Sequence, residues 1–277
     1  MKNAPACTRK KEPVSGIRRA YIFRLVCRCV IFAACVALYF LRPEVFGVLV
    51  GFRFFTEFSP LHVLWLLWVI DMIQQLIPVK EHIPLGSQKL FRQRFRPLRE
   101  KINHQALREY VVSTTKAAYK VFILWAALIA LLGALYHFGI LSGVHLFLMS
   151  AAFYVCDLIC VLIWCPFRLI LKNRCCTTCR IFNWDHLMMF TPMLFVGSFF
   201  SFSLLLLAVA VWVVWEVFVM MYPERFWEQT NEALRCDQCT DKLCTQYCQK
   251  LRKGSKEVFS AKSRGISANS RKSVDKP

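Results

Sequence analysis

The chain has 277 residues, 57% of them hydrophobic and 19% charged, with a formal net charge of +19. Soluble domains are roughly 45–50% apolar, so this composition excludes an ordinary water-soluble core. Several apolar runs reach the ~18–20 residues that cross a bilayer as a helix, and the expected fold class is all-α, a polytopic integral membrane helical bundle.

The basic residues gather in three blocks. Residues 1–28 hold Lys2, Arg9, Lys10, Lys11, Arg18, Arg19, Arg24 and Arg28. Residues 80–120 hold ten Lys or Arg against three Glu, and residues 250–277 hold nine against two acids. No nucleic-acid fold signature accompanies them, so no specific nucleic-acid partner is expected. All three flank apolar runs, which fits positive-inside topology and attraction of the basic loops to anionic lipid headgroups.

In chain order, residues 1–20 form a basic cytoplasmic arm. The first apolar run, Tyr21–Leu41, lacks a small-x-small cleavage site and is expected to stay as an anchor rather than leave as a signal peptide. Arg42-Pro43 ends it. Val45–Phe55 is too short to cross alone and extends the first helix or lies at the interface. Ser59-Pro60 opens the second helix, since serine caps free amides and proline suits the first helical position. Its stretch LHVLWLLWVIDMIQQL carries Asp71, Gln74 and Gln75. Crossing is preferred to an interfacial course, because it returns residues 80–120 to the side of the N-terminus.

Residues 80–120 read as a basic amphipathic cytoplasmic loop. Phe91, Phe95, Leu98 and Ile102 recur at helical spacing, and Pro97 divides the pattern into two short surface helices. Val121–Phe138 and Val144–Trp164 form the next two spans, a hairpin closed by Gly139-Ile-Leu-Ser-Gly143. Residues 165–187 are a Cys-rich cytoplasmic loop. The last apolar run, Leu187–Met221, would make about 52 Å of helix at ~1.5 Å per residue, well beyond a ~30 Å hydrocarbon core. A hairpin broken around Gly197–Ser203 gives six spans with both termini cytoplasmic; one long helix gives five. Residues 223–254 are a second Cys-rich cytoplasmic segment, and 255–277 a basic, Ser-rich tail too polar to fold by itself.

Fourteen cysteines divide into two kinds. Cys27, Cys29, Cys35, Cys156, Cys160 and Cys165 lie in or beside apolar helices, where cysteine serves as a small apolar side chain. Cys7 stands alone in the N-terminal arm. Cys175, Cys176 and Cys179 share the polar loop, and Cys236, Cys239, Cys244 and Cys248 follow the last span. These seven are the candidate metal ligands. Thiols three residues apart can reach one ion, and thiolate is the soft ligand of zinc and of iron–sulfur clusters. The spacing of the tail cysteines departs from the bacterial ferredoxin run, and the metal stays undecided between zinc and an iron–sulfur cluster. Disulfides would need the oxidising side, against the charge distribution. In NWDH, Asn183 or Asp185 is expected to cap the following helix, Trp184 to anchor at the interface, and Thr191-Pro192 to kink it. Asp185 is too near His186 in sequence to be assumed as the carboxylate holding its ring.

Asp71, Asp157 and Glu216 lie within spans, where carboxylates are costly and mark either ion pathways or structural hydrogen bonds. For Asp157 the two readings are balanced; Asp71 and Glu216, nearer helix ends, read as structural. No nucleotide-binding loop, nucleophile elbow, zincin pair or covalent-haem motif is present, so no catalytic residue is assigned. Three function classes remain. The first is a membrane protein of unreadable activity with a cytoplasmic cysteine-ligated metal site. The second is a membrane redox protein using an iron–sulfur centre or reactive thiols. The third is a soft-metal carrier with Cys156, Asp157, Cys160 and Cys165 along its path.

Overall fold

A computed structural model describes residues 16–76, 95–98, 103–167, 170 and 179–235. It is an all-α bundle, and among the described residues there is no β-strand. Four helices are long and apolar enough to cross a membrane: α1 (Gly16–Leu41), α3 (His104–His137), α4 (Gly143–Leu162) and α6 (Phe199–Met221). A shorter apolar helix, α2 (Leu61–Leu76), joins them. A six-residue helix, α5 (Asp185–Phe190), completes the set.

The outer surface is the inverse of a soluble protein's. Phe23, Val30, Ile123, Leu124, Leu131, Phe202 and Leu206 are each more than half exposed on the long helices. A continuous apolar exterior of this kind is stable against lipid and not against water. The interior is packed from Trp68, Phe147, Phe190, Phe200, Leu146, Met72 and Leu204.

Contacts fix the direction of each helix. Tyr21 packs with Leu158, Val161 and Leu162, while Tyr39 meets His145, so α1 and α4 are antiparallel. Trp65 near the start of α2 donates to Ser203 near the start of α6, so these two run together. Gly16, Leu76, His104, Leu162 and Met221 therefore share one end of the bundle. It carries Arg108, Lys116, Lys120, Arg180 and Arg225, and is termed the basic end. The other end is closed by two 3-10 turns, Pro43–Leu49 and Arg53–Phe55. Phe46, Val48 and Leu49 are buried beneath it, and Phe54 packs on Phe199 and Phe200. Val45–Phe55 thus neither crosses nor prolongs α1. The second helix starts just after Ser59-Pro60, with Ser59 Oγ accepting from Leu61 N.

Residues 104–120 correct the sequence expectation of a loop. They are the first half of α3, whose 34 residues run without interruption into the span. Asn103 starts the helix by accepting from the backbone amides of Gln105 and Ala106, and no proline or glycine intervenes before Gly133. Of the two surface helices expected around Pro97, only residues 95–98 are described. They pair with the segment after α6: Leu98 N donates to Thr230 O and Glu232 N to Arg96 O. The rest of that expectation lies outside the described residues.

The run Leu187–Met221 is not one helix. The short α5 is followed by a 3-10 turn, Thr191–Phe195, and the chain reverses at Val196–Ser198. Pro192 lacks the amide an α-helix needs, so the expected kink is a change of helix type. Ser198 then opens α6 with a reciprocal cap, its side chain accepting from Ser201 N. The first arm is buried inside the bundle: Phe190 and Met193 are fully enclosed.

Candidate functional site, a charge cluster inside the bundle

Arg28, inside the apolar run of α1, points into the bundle. Its Nη1 donates to Asp157 Oδ2 of α4 at 2.9 Å and to the carbonyl oxygen of Tyr154 at 2.7 Å. Its Nη2 donates to Asp71 Oδ2 of α2 at 3.3 Å. The guanidinium also lies over the Tyr154 ring, 3.8 Å from its centroid. A charged group enclosed among helices needs both an opposite charge and filled hydrogen bonds, and Arg28 has both. Nothing but its placement in an apolar run marked it beforehand. In the sequence Arg28 belongs to the N-terminal basic block, and nothing local pairs it with Asp71 or Asp157. The available signal was that Arg28, Asp71 and Asp157 all lie within apolar runs.

The buried arm adds a second layer. His186, 3% exposed, sits at the start of α5. Its Nδ1 is 2.8 Å from Asp185 Oδ1, and Gln75 Nε2 donates to Asp185 Oδ2 at 3.2 Å. This corrects the expectation for Asp185: the residue adjacent in sequence does hold the imidazole. At the junction between the 3-10 turn Arg180–Trp184 and α5, its carboxylate folds back on both the backbone amide and the ring of His186. Since a carboxylate only accepts, Nδ1 carries a proton. The other ring nitrogen, Nε2, lies 3.4 Å from Asp71 Oδ2, at ion-pair range but without an aligned hydrogen bond.

Three carboxylates from α2, α4 and α5 thus face one guanidinium and one imidazole. Even with His186 doubly protonated, the formal sum is one negative charge. With His186 neutral, Nε2 and Asp71 Oδ2 are two acceptors 3.4 Å apart, an unfavourable contact unless a proton enters between them.

A separate clamp lies nearer the basic end. Arg180 Nη2 donates to Glu216 Oε2 of α6 at 2.6 Å, Trp184 Nε1 donates to Glu216 Oε1 at 2.7 Å, and Arg180 Nη1 donates to Thr115 Oγ1 of α3. Trp184 is buried, so it fastens the connector to α6 instead of anchoring at an interface. Glu216 is thus held in an ion pair with Arg180. Arg225, after α6, is held among Phe95, Phe218 and Tyr222, and Tyr110 of α3 donates to Phe226 O.

Of the seven candidate metal ligands, only Cys179 is described. It is half-buried and immediately precedes the Arg180–Trp184 turn. Cys175, Cys176, Cys236, Cys239, Cys244 and Cys248 lie outside the described residues, as does Cys7. Among the described residues, no three of His, Cys, Asp and Glu come together so as to hold a metal ion. Along the soft-metal path considered from sequence, Cys156 is exposed on the outside of α4 while Asp157 faces inward to Arg28, so the two do not line one channel. Cys165 is buried and Cys160 half-buried. Compared with models of known families, with curated proteins and with solved structures, the chain matches none of them.

Proposed function

We propose that this protein conducts protons across the membrane and that the exchangeable proton resides between His186 and Asp71. The observation that carries this reading is the pairing of His186 Nε2 with Asp71 Oδ2 at 3.4 Å, with Nδ1 already committed to Asp185. A proton held between the imidazole and Asp71 would be given up when Arg28, now closer to Asp157, closes on Asp71 and replaces the imidazolium as that carboxylate's cation. Intramembrane groups with alternative partners of this kind belong to proton relays in pumps and transporters.

The test is reconstitution into liposomes carrying an internal pH-sensitive dye. An imposed potential or pH gradient drives proton entry in wild type, and Asp71→Asn and His186→Gln abolish it in protein that keeps its helical content by circular dichroism. Proton entry unchanged in both variants, or no entry in wild type under either gradient, rejects the reading.

A second reading, a cysteine-ligated metal site, is favoured by one placement. Cys179 and Arg235, the residue before Cys236, are both at the basic end, since Arg180 and Phe226 are each tied to the first half of α3. The two thiol groups of the sequence would then face one compartment, the cytoplasm by the excess of Lys and Arg at that end. Zinc or an iron–sulfur cluster would suit the thiolates, the second giving the chain a redox role. Elemental analysis and visible absorption of anaerobically purified protein decide it. Stoichiometric zinc, or iron with a brown colour, lost on Cys236→Ser/Cys239→Ser, supports it; a metal-free wild type overturns it.

A further inference from the structure

The 34 residues of α3 span about 51 Å at ~1.5 Å per residue, some 20 Å more than a ~30 Å hydrocarbon core. Its apolar part begins at Val121, which places the preceding turns in the headgroup layer. There, Arg108, Val112, Lys116 and Lys120 recur every four residues or at multiples of four, on one helix face. Together with Ile170 they line an open groove of about 570 Å³. Arg108, Lys116 and Lys120 are all exposed, and among the described residues no carboxylate pairs with them. The one acid on the rim, Glu109, accepts from Gln105 at 3.4 Å. One turn further along the same face stand Ile123 and Leu124, 67% and 61% exposed. The surface therefore changes from concentrated positive charge to bare hydrocarbon within a single helical turn.

We propose that this groove binds the headgroup of an anionic phospholipid, with the phosphodiester between Lys116 and Lys120 and the acyl chains descending along Ile123 and Leu124. A phosphodiester alone would satisfy only the basic half of the site, and an apolar chain only the other; an anionic phospholipid satisfies both. Arg108, two turns further out, adds to the positive potential that draws the anionic headgroup to the groove. The inference rests on α3 crossing a membrane and is independent of the proton site.

The test is native mass spectrometry of the full chain in detergent, after addition of phosphatidylglycerol or phosphatidylcholine. Phosphatidylglycerol is retained in preference, and Arg108→Gln/Lys116→Gln/Lys120→Gln lowers its retention roughly ten-fold or more, given what each basic residue contributes near an anionic headgroup. Arg19→Gln/Arg42→Gln/Arg53→Gln removes the same charge elsewhere and leaves retention unchanged. Equal retention of the zwitterionic lipid, or equal loss in the charge-matched variant, overturns the proposal. Helical content by circular dichroism is checked for each variant. If the triple variant misfolds, Lys116→Gln and Lys120→Gln are read singly against Arg19→Gln, by the same criterion.

Discussion

Arg28 and Asp157, 129 residues apart in sequence, meet at 2.9 Å in the interior of the bundle, where the guanidinium is held at once by α1, α2 and α4. Removing one member of such a group leaves the others charged and unpaired. Arg28→Gln is therefore expected to destabilise the protein by about 3–5 kcal/mol, seen as a large fall in the detergent thermal transition. Arg28→Gln/Asp157→Asn should recover part of that loss, because the orphaned carboxylate goes with its partner. A double variant no more stable than Arg28→Gln alone would show that the pair is not the source of the effect.

Gly133 faces the ring of Phe195, and a Cβ built there would collide with the ring's tip. The close approach seats the buried arm against α3. Gly133→Val should cost about 1–3 kcal/mol through overpacking. Gly133→Val/Phe195→Ala should regain some of it, and a Gly133→Val protein as stable as wild type would mean that the arm does not press on α3 at this point.

Glu216 accepts from both Arg180 and Trp184, fastening the Cys-rich connector to α6. Glu216→Gln keeps the shape but loses the charge that Arg180 requires. A cost of about 1–3 kcal/mol is expected, together with faster limited proteolysis within residues 165–180. The readout is the cleavage rate in intact micelles. An unchanged rate would assign the clamp no part in holding the connector.

Topology can be read with single-cysteine variants and a thiol reagent that does not cross membranes. A protein retaining only Cys179 and one retaining only Cys239 should both be protected in intact cells and modified in inverted vesicles. Phe58→Cys, at a position 94% exposed at the opposite end, should behave in the opposite way. Cys179 and Phe58→Cys labelled from the same side would contradict the alternating course of the helices.

Hydropathy alone determined the class of this protein, since runs such as LLLLAVAVWVV have no stable place in water. It also located the turn at Gly139–Gly143 and the start of α2, where Ser, Pro and Gly act on their immediate neighbours and no distant contact is needed. Tertiary structure decided the rest. The extent of α3 was hidden because a helix that leaves the membrane changes from apolar to amphipathic without changing conformation. The role of Asp185 was hidden because its reach to His186 depends on the meeting of a 3-10 turn with an α-helix. The Arg28 cluster was hidden for a more general reason. A charge inside a span can be tolerated by pairing, by turning to a helix end or by facing water, and the local sequence is the same in all three cases. Only the packing of α1 on α4, with α2 and α5 bringing Asp71 and His186 to the same point, selects among them, because it alone fixes which charges come within a few ångströms of one another, away from solvent.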